Sequence, residues 1–165
     1  MSAGESAARL VDVALDETGL PAPSPELEQE RRIAVFDLIE HNAFAPLPDK
    51  DGAPPAGPYR LTLGLKGERI VFDIATAEGA PAAAFDLSLA PFAQAIKDYF
   101  EICESYTDAV KRLPPAQIEA IDTGRRRIHD EGSRLLLDRL SGHVATDLAT
   151  VRRLFTLICV LQPQA

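Results

Sequence analysis

The chain has 165 residues, a size at which a single domain can bury a hydrophobic core without disulfides or metals. Its content of 46% hydrophobic and 25% charged residues is ordinary for a globular protein and excludes an intrinsically disordered chain. The formal net charge of −8 opposes binding to nucleic acid or to an anionic membrane surface, because both attract basic protein faces.

The N-terminal sequence MSAGESAARL has neither the basic region nor the apolar region of a secretory signal. No stretch approaches the roughly 18 consecutive apolar residues that span a bilayer. We therefore expect a cytoplasmic protein that contacts no membrane. We expect residues 1–165 to form one domain, with residues 1–8 disordered.

The first part of the chain predicts a strand, a helix and a loop. Arg9–Leu15 alternates apolar and polar residues as a strand does. Ser24 is a typical N-cap before Pro25, and the helix continues to about Asn42. Five prolines within residues 45–58 predict a loop without regular structure. The broad apolar stripe of the helix, which we expect to lie on a sheet, consists of Leu27, Ile33, Ala34, Val35, Phe36, Leu38 and Ile39.

The middle of the chain predicts an antiparallel β-meander. Tyr59–Leu65, Ile70–Ile74 and Ala82–Leu89 each alternate apolar and polar residues. Turns at Gly67 and Gly79 separate these segments. The alternation predicts one face toward a core and one polar face toward water.

Beyond Ala90 the periodicity is helical. Apolar residues recur every three or four positions over Phe92–Leu113, and the proline pair that follows starts a second helix ending near Leu140. A short extended piece is predicted at His143–Thr146, before a last helix.

The last helix is predicted to begin after Asp147, and its second half, Leu154–Leu161, is apolar on nearly all sides. Such a segment is buried, either in the core or in a subunit contact. Because strands precede helices, the chain predicts an α+β fold. We expect an antiparallel meander with an N-terminal strand and helix, covered by three C-terminal helices.

The segment IDTGRRRIHDEG, residues 121–132, carries the most suggestive side chains. Offsets of three and four residues place Asp122, Arg126 and His129 on one side of the helix, and Arg125 projects from the edge facing the core. Guanidinium groups beside an imidazole can clamp a phosphate or a carboxylate. The hypothesis of a small-molecule site places the anion on the two arginines. His129 then transfers a proton, supported by Glu104 from the preceding helix.

The same charges also fit a solvated ladder of ion pairs. Pairs of this kind contribute a few tenths of a kcal/mol each and carry no function. The ladder leaves Arg125 unexplained, together with two glycines, Gly124 and Gly132, that are unfavourable inside a helix. These glycines predict a close backbone approach or a helix break. The ladder would consist of Asp122–Arg126, Arg126–Asp130, Arg127–Glu131 and Arg134–Asp138.

Other chemistries find little support in the sequence. The nucleotide-binding glycine motifs, the serine hydrolase elbow and the HExxH and CxxC metal motifs are absent, so we expect no cofactor and no metal, and enzymatic activity stays open. The acidic group of Glu101, Glu104 and Asp108 lacks converging ligands from a second element. Cys103 and Cys159 lie in apolar helical patterns, which predicts inert core thiols.

Several segments resemble UPF0262, a family of uncharacterised bacterial proteins found mainly in alphaproteobacteria. The resemblance implies that Glu104, Asp122, Arg125, Arg126 and His129 occupy family positions, whereas Arg127 does not. It also implies that Arg125, Arg126 and His129 are more than incidental charges. It names no ligand and no reaction. The similar segments are ERRIAVFDL (30–38), NAFAP (42–46), PYRLTL (58–63), KDYFEICESY (97–106), QIEAIDTGRRRIHDEGS (117–133) and RRLFTLICVL (152–161).

Two functional hypotheses follow. The leading one is a non-catalytic module that binds a protein partner or assembles with itself through the helical layer and the apolar last helix. The alternative is a site, enzymatic or not, for a phosphate- or carboxylate-bearing small molecule around Arg125, Arg126 and His129. Asp122 and Glu104 would be its supporting residues. Nucleic-acid binding through the adjacent arginines is disfavoured by the acidic field of the chain.

Overall fold

The structure, a computed structural model, describes residues 7–162. The expected disorder of residues 1–8 therefore lies mostly outside the described residues. The two that are described, Ala7 and Ala8, each accept a backbone hydrogen bond. Arg9 N donates to Ala7 O at 2.9 Å, and Phe44 N donates to Ala8 O at 3.0 Å.

The described residues form a mixed arrangement of strands and helices, as expected for an α+β fold. The strands are β1 (Leu10–Asp16), β2 (Phe44–Pro46), β3 (Tyr59–Lys66), β4 (Arg69–Thr76), β5 (Pro81–Ser88) and β6 (Val144–Thr146). The helices are α1 (Pro25–Glu40), α2 (Ala93–Arg112), α3 (Pro115–Leu140) and α4 (Leu148–Val160), with short 3-10 turns at Glu17–Gly19 and Ala90–Phe92.

The main sheet has the strand order β1-β3-β4-β5. Strands β3, β4 and β5 form the predicted antiparallel meander, and β1 adds to its edge in parallel with β3. The register pairs Leu61 with Ile74 and Leu63 with Phe72, so their side chains share one face, and all four are fully buried. The helices cover this face, and the hydrophobic core lies between the two layers.

Helix α1 begins as predicted, since Leu27 N donates to Ser24 Oγ at 3.1 Å. It ends at Glu40, two residues before the expected end. Asn42 explains the difference, because its side chain accepts from Leu10 N at 2.7 Å and donates to Leu38 O at 2.8 Å. These bonds fasten the chain to β1 and satisfy a carbonyl at the helix end.

The apolar stripe predicted for α1 is partly wrong. Leu27, Ala34 and Leu38 are buried, but the side chains of Ile33 and Phe36 are 51% and 64% exposed. The helix packs mainly against α4 rather than on the sheet, which leaves a narrower face to bury. Arg31 lies within the buried face and donates through Nε to Val160 O at 3.3 Å and through Nη2 to Pro21 O at 3.3 Å.

The prediction of an irregular loop at residues 45–58 is wrong at its start. Ala45 and Pro46 belong to β2, which pairs antiparallel with β6. Pro46 is tolerated because this two-stranded ladder has open edges that do not require its missing N–H. The predicted strand after α3 is confirmed as β6. It is the pairing partner of β2, and the local sequence around residue 45 gives no sign of this distant partner.

Helix α4 lies in the core of its own chain. Asp147 caps it as predicted, accepting from Thr150 N at 2.8 Å. Its apolar residues from Val151 to Leu161 are buried without help from a second subunit. The apolar surface of α4 is therefore buried within the chain, mainly against α1 and α3, and the core alternative of the two predicted for this helix is confirmed.

Helices α2 and α3 form an antiparallel hairpin around the turn at Leu113 and Pro114. The apolar stripe of α2 is buried near Ile96, but Val110 and Leu113 near the turn are exposed. Within the described residues, no helix is both long and apolar enough to cross a membrane.

Candidate functional site

Helices α2, α3 and α4 converge around a polar cavity of about 620 Å³, which we call the arginine cleft. Helix α3 supplies most of its wall, and α2 and α4 close the sides. Every residue that lines it has a polar group in its side chain. The lining consists of Tyr99, Thr123, Arg125, Arg126, Arg127, His129, Asp130, Arg152 and Thr156.

The two glycines of α3 allow its neighbours to approach. A Cβ atom at Gly132 would lie 2.3 Å from Cζ of Phe155 on α4, and one at Gly124 would lie 3.0 Å from Cδ1 of Ile102 on α2. The helix runs through both positions without a break. The close approach predicted from these glycines is therefore confirmed, and the break is not observed.

At one end of the cleft, two arginines share one aspartate. Arg125 donates to Asp122 Oδ1 from Nη2 at 2.6 Å and from Nε at 3.0 Å. Arg126 Nε lies 3.4 Å from Asp122 Oδ2. The Arg125 guanidinium carbon also lies 5.3 Å from the centre of the Tyr106 ring, a cation–π distance. Asp122 thus holds two guanidinium groups with a single negative charge.

At the other end, Asp130 repeats this arrangement. Its carboxylate accepts from Arg134 Nε at 2.8 Å and from Arg152 Nη2 of α4 at 2.5 Å. These hydrogen bonds, that from Arg134 first, hold the pKa of Asp130 below its usual value. The carboxylate is therefore ionised at neutral pH and also shared by two cations.

The predicted ladder accounts for only part of this pattern. Of its four pairs, Asp122–Arg126 is the one formed within residues 7–162, and Arg134 pairs with Asp130 instead of Asp138. Arg127 makes no ion pair with Glu131, one turn further along, in the described part of the chain. The cleft and its rim thus set five arginines against two aspartates, a local excess of three positive charges. The arginines are Arg125, Arg126, Arg127, Arg134 and Arg152.

His129 is wedged between two aromatic rings in the wall of the cleft. Its ring centre lies 5.2 Å from that of Tyr99 and 5.4 Å from that of Phe155. Its Nε2 lies 2.7 Å from Thr156 Oγ1, whose hydroxyl donates to Arg152 O at 3.2 Å. A hydroxyl has one hydrogen, so this geometry makes Nε2 the donor to Thr156 and leaves Nδ1 as the acceptor.

Burial and two neighbouring arginines determine the charge of the aromatic wall. Burial first, and then Arg152 and Arg125, lower the pKa of His129, so the imidazole is neutral at neutral pH. Burial, with the nearby Cys103, raises the pKa of Tyr99 to about 12. Its phenol therefore keeps its proton. The positive charge of the cleft comes from guanidinium groups alone.

Glu104 does not line the arginine cleft. It is exposed on α2 and faces a separate cavity of about 830 Å³, together with Lys97, Phe100 and Glu101. Of the predicted site residues, the structure brings Arg125, Arg126 and His129 together in the cleft and places Asp122 behind the first two. The support of His129 by Glu104, expected from the sequence, has no counterpart in this arrangement.

Three residues of the cleft have no signal in the local sequence. In the sequence, Tyr99 and Thr156 are ordinary members of helical patterns, and Arg152 has no evident partner nearby except Asp147. In the structure Arg152 reaches Asp130, 22 positions earlier, and Thr156 reaches His129, 27 positions earlier. The adjacent Arg152 and Arg153, in an otherwise largely apolar helix, are the one sign that could have pointed to them.

The cysteines do not contribute a nucleophile to the cleft. Both are free thiols, and Cys159 is fully buried in the core. Burial raises the pKa of each thiol, so neither is activated. In residues 7–162 no cluster of three histidine, cysteine or acidic side chains is positioned to hold a metal ion.

Comparison with known proteins agrees with the resemblance seen in the sequence. The model of an uncharacterised protein family, UPF0262, matches residues 7–164. A UPF0262 protein of Paracoccus denitrificans is 59% identical over 160 residues, which cover 96% of this chain and 98% of that protein. One from Jannaschia sp. is 61% identical over 149 residues, covering 90% and 94% of the two chains. No solved structure matches. The chain therefore belongs to the UPF0262 family.

Proposed function

We propose that the protein binds an anionic small molecule, bearing a phosphate or carboxylate group, in the arginine cleft. The observation that carries the proposal is the local excess of three positive charges around a cavity, in a chain whose net charge is −8. Concentrating like charges in one place is unfavourable without a counter-charge. A bound anion supplies it.

The arginines keep hydrogen-bond donors for such a ligand. A guanidinium has five N–H groups, and the contacts with Asp122 occupy two of those on Arg125 and one on Arg126. Arg127 makes no ion pair among the described residues. The shared aspartates therefore orient the guanidinium groups without saturating them, which is the arrangement that bidentate recognition of an anion requires.

Binding of the anion does not require His129 to transfer a proton, but the position of this residue restricts how it could do so. His129 Nε2 is engaged by Thr156, so a proton transfer to a bound ligand would have to use Nδ1. The neutral imidazole can accept a proton, because burial and the adjacent arginines keep its pKa low. A ligand with a negative charge would raise that pKa by offsetting the arginines.

A thermal-shift experiment tests the proposal. Phosphate- and carboxylate-bearing metabolites are expected to raise the melting temperature, because a ligand that binds the native state stabilises it by mass action. Arg126→Ala should abolish the rise. The matched control is Arg32→Ala, since Arg32 has a similar side-chain exposure, 68% against 65%, and a similar i,i+4 ion pair, with Glu28, on α1.

The control variant should keep the full shift. A broad panel of anions that leaves the melting temperature unchanged would contradict the proposal. An equal loss of the shift in both variants would also contradict it, because it would assign the effect to general surface charge.

A second candidate is that the protein assembles with itself or binds a protein partner. Helix α4 gives this idea no support, because its apolar surface is buried within the chain. What favours it is a pair of exposed apolar residues on α1, Ile33 and Phe36, one turn apart. Singly exposed apolar residues are common, but adjacent large ones mark contact surfaces more often.

Light scattering after size-exclusion chromatography tests this second candidate. Self-assembly predicts a mass above that of one chain, which Phe36→Ser reduces to one chain while the fold is retained. The exposed Val110, changed to Ser, is the matched control. A strictly monomeric protein that also co-purifies with no partner from cells would exclude it. For the location we propose the cytoplasm, in keeping with two free thiols and an acidic composition.

A further inference from the structure

We infer that the ligand of the arginine cleft is a phosphate monoester of a small polar molecule. This inference rests on the proposed function and narrows it from anions in general to one chemical class. Three independent features of the cleft lead to it: its charge, the position of its donors on two walls, and the polarity of its lining.

The charge of the cleft exceeds that of a carboxylate. Asp122 and Asp130 are each shared by two arginines, so together they offset only two of the five positive charges around the cleft. A carboxylate brings one negative charge, whereas a phosphate monoester brings about 1.5 to 2 near neutral pH. The phosphoryl group therefore neutralises more of the excess than a monocarboxylate does.

The donors stand on two facing helices. Arg126 and Arg127 belong to α3, and Arg152 belongs to α4, yet all three line the same cavity. The two oxygens of a carboxylate lie in one plane and are satisfied by a single guanidinium. A phosphoryl group presents three oxygens in a tetrahedral arrangement, so it can accept from both walls at once.

The polar groups that line the cleft favour a compact polar ligand over a long apolar one. Thr123 and Thr156 add hydroxyl groups to the guanidinium donors, and aliphatic residues are absent among the described residues that line the cleft. A long lipid chain would bury its apolar surface against charged groups, which must then lose water. A compact hydroxylated molecule keeps its hydrogen bonds in the same place.

Isothermal titration calorimetry at pH 8 tests the inference with four probes. These are inorganic phosphate, glycerol 3-phosphate, acetate, and vesicles that contain phosphatidic acid. Glycerol 3-phosphate is expected to bind at least about tenfold more tightly than acetate, the ratio that one additional charged hydrogen bond provides. Inorganic phosphate should compete with glycerol 3-phosphate. Titration with the vesicles should give no heat of binding.

Variants on the two walls test the geometry. Arg126→Gln on α3 and Arg152→Gln on α4 should each weaken glycerol 3-phosphate binding by about tenfold or more. Arg112→Gln serves as the control, because Arg112 is exposed and forms an i,i+4 pair with Asp108 outside the cleft. Should Arg152→Gln fail to fold, because it releases Asp130, Arg126→Gln still tests the α3 wall, and the comparison of glycerol 3-phosphate with acetate still tests the ligand class.

The outcomes separate the inference from the proposed function. Acetate binding as tightly as glycerol 3-phosphate overturns the phosphate assignment and leaves an anion site in place. Binding of the protein to the vesicles contradicts the assignment of a small polar ligand. Failure of all four probes to bind overturns both the inference and the proposed function.

Discussion

His129 shows at the scale of one residue how the cleft controls protonation. Its ring is held by Tyr99 and Phe155, and its Nε2 by Thr156, so it cannot turn away from Arg152 and Arg125. Burial and these two cations lower the pKa of the imidazole below its ordinary 6.5. The native protein therefore favours the neutral ring, whereas the unfolded chain does not.

This shift predicts a loss of stability in mild acid. As the pH falls, the unfolded chain takes up a proton on this histidine before the native protein does, so the free energy of unfolding decreases. The contribution is present above about pH 6.5 and is lost as the pH falls through the lower native pKa. His129→Gln should therefore show a smaller decrease than the wild type between about pH 7 and pH 5, measured by urea denaturation.

His41→Gln is the control for this prediction. His41 is exposed, and it is the backbone carbonyl of this residue, not its ring, that accepts from Arg153. The control should keep the wild-type pH dependence. Equal slopes for wild type and His129→Gln would show that the imidazole titrates alike in both states.

Gly132 shows how one missing side chain determines the spacing of two helices. Gly132→Ala would push a methyl group into the ring of Phe155, which is itself buried and in contact with His129. We expect a loss of about 1–3 kcal/mol in the free energy of unfolding, the usual cost of overpacking a core. Chemical denaturation measures this loss.

Gly124→Ala is the matched comparison on the same helix. Its new methyl group would meet only the terminal Cδ1 of Ile102, which can rotate away. The variant should gain up to about 1 kcal/mol, because alanine is the better helix former. Similar destabilisation by both substitutions would contradict this explanation, because only Gly132 is closely packed against a buried ring.

At the scale of whole elements, α4 organises the helical layer. It contacts α1 through Arg31 and Val160, α2 through Tyr99 and Phe155, and α3 through His129 and Thr156. Leu157→Ala should therefore cost about 2–5 kcal/mol, since its side chain is fully buried.

This loss should not depend on protein concentration. A leucine in the core of one chain contributes equally at all concentrations, whereas a leucine in a subunit contact contributes more as the concentration rises. Thermal unfolding of the wild type and Leu157→Ala over a wide concentration range distinguishes the two cases. A destabilisation that varies with protein concentration would mean that α4 takes part in a subunit contact, the other alternative predicted from the sequence.

At the scale of the whole molecule, local patterns predict the elements well. The meander follows from alternation over Tyr59–Leu89, and α2 and α3 follow from helical spacing on either side of Pro114. Alternation and helical spacing act within a few residues, so the sequence shows them directly. The α+β class was predictable on this basis.

Pairings between distant segments were not predictable. The parallel contact of β1 with β3 and the pairing of β2 with β6 join residues about 48 and 100 positions apart, and no local pattern specifies such a partner. The same reason applies to the site. Arg125, Arg126 and His129 are recognisable within one segment, but Arg152 is recruited from another helix and Glu104 faces a different cavity.

The position of α4 in the chain has a consequence for synthesis. Every other strand and helix described here leaves the ribosome before α4, although α1 and α3 pack directly against it. A nascent chain that has reached only Asp147 holds a sheet and three helices around an unfilled centre, and exposed apolar surface of this kind invites aggregation. We therefore expect the helical layer to pack completely only when residues 148–161 arrive, and the exposed apolar surface to be largest just before that step.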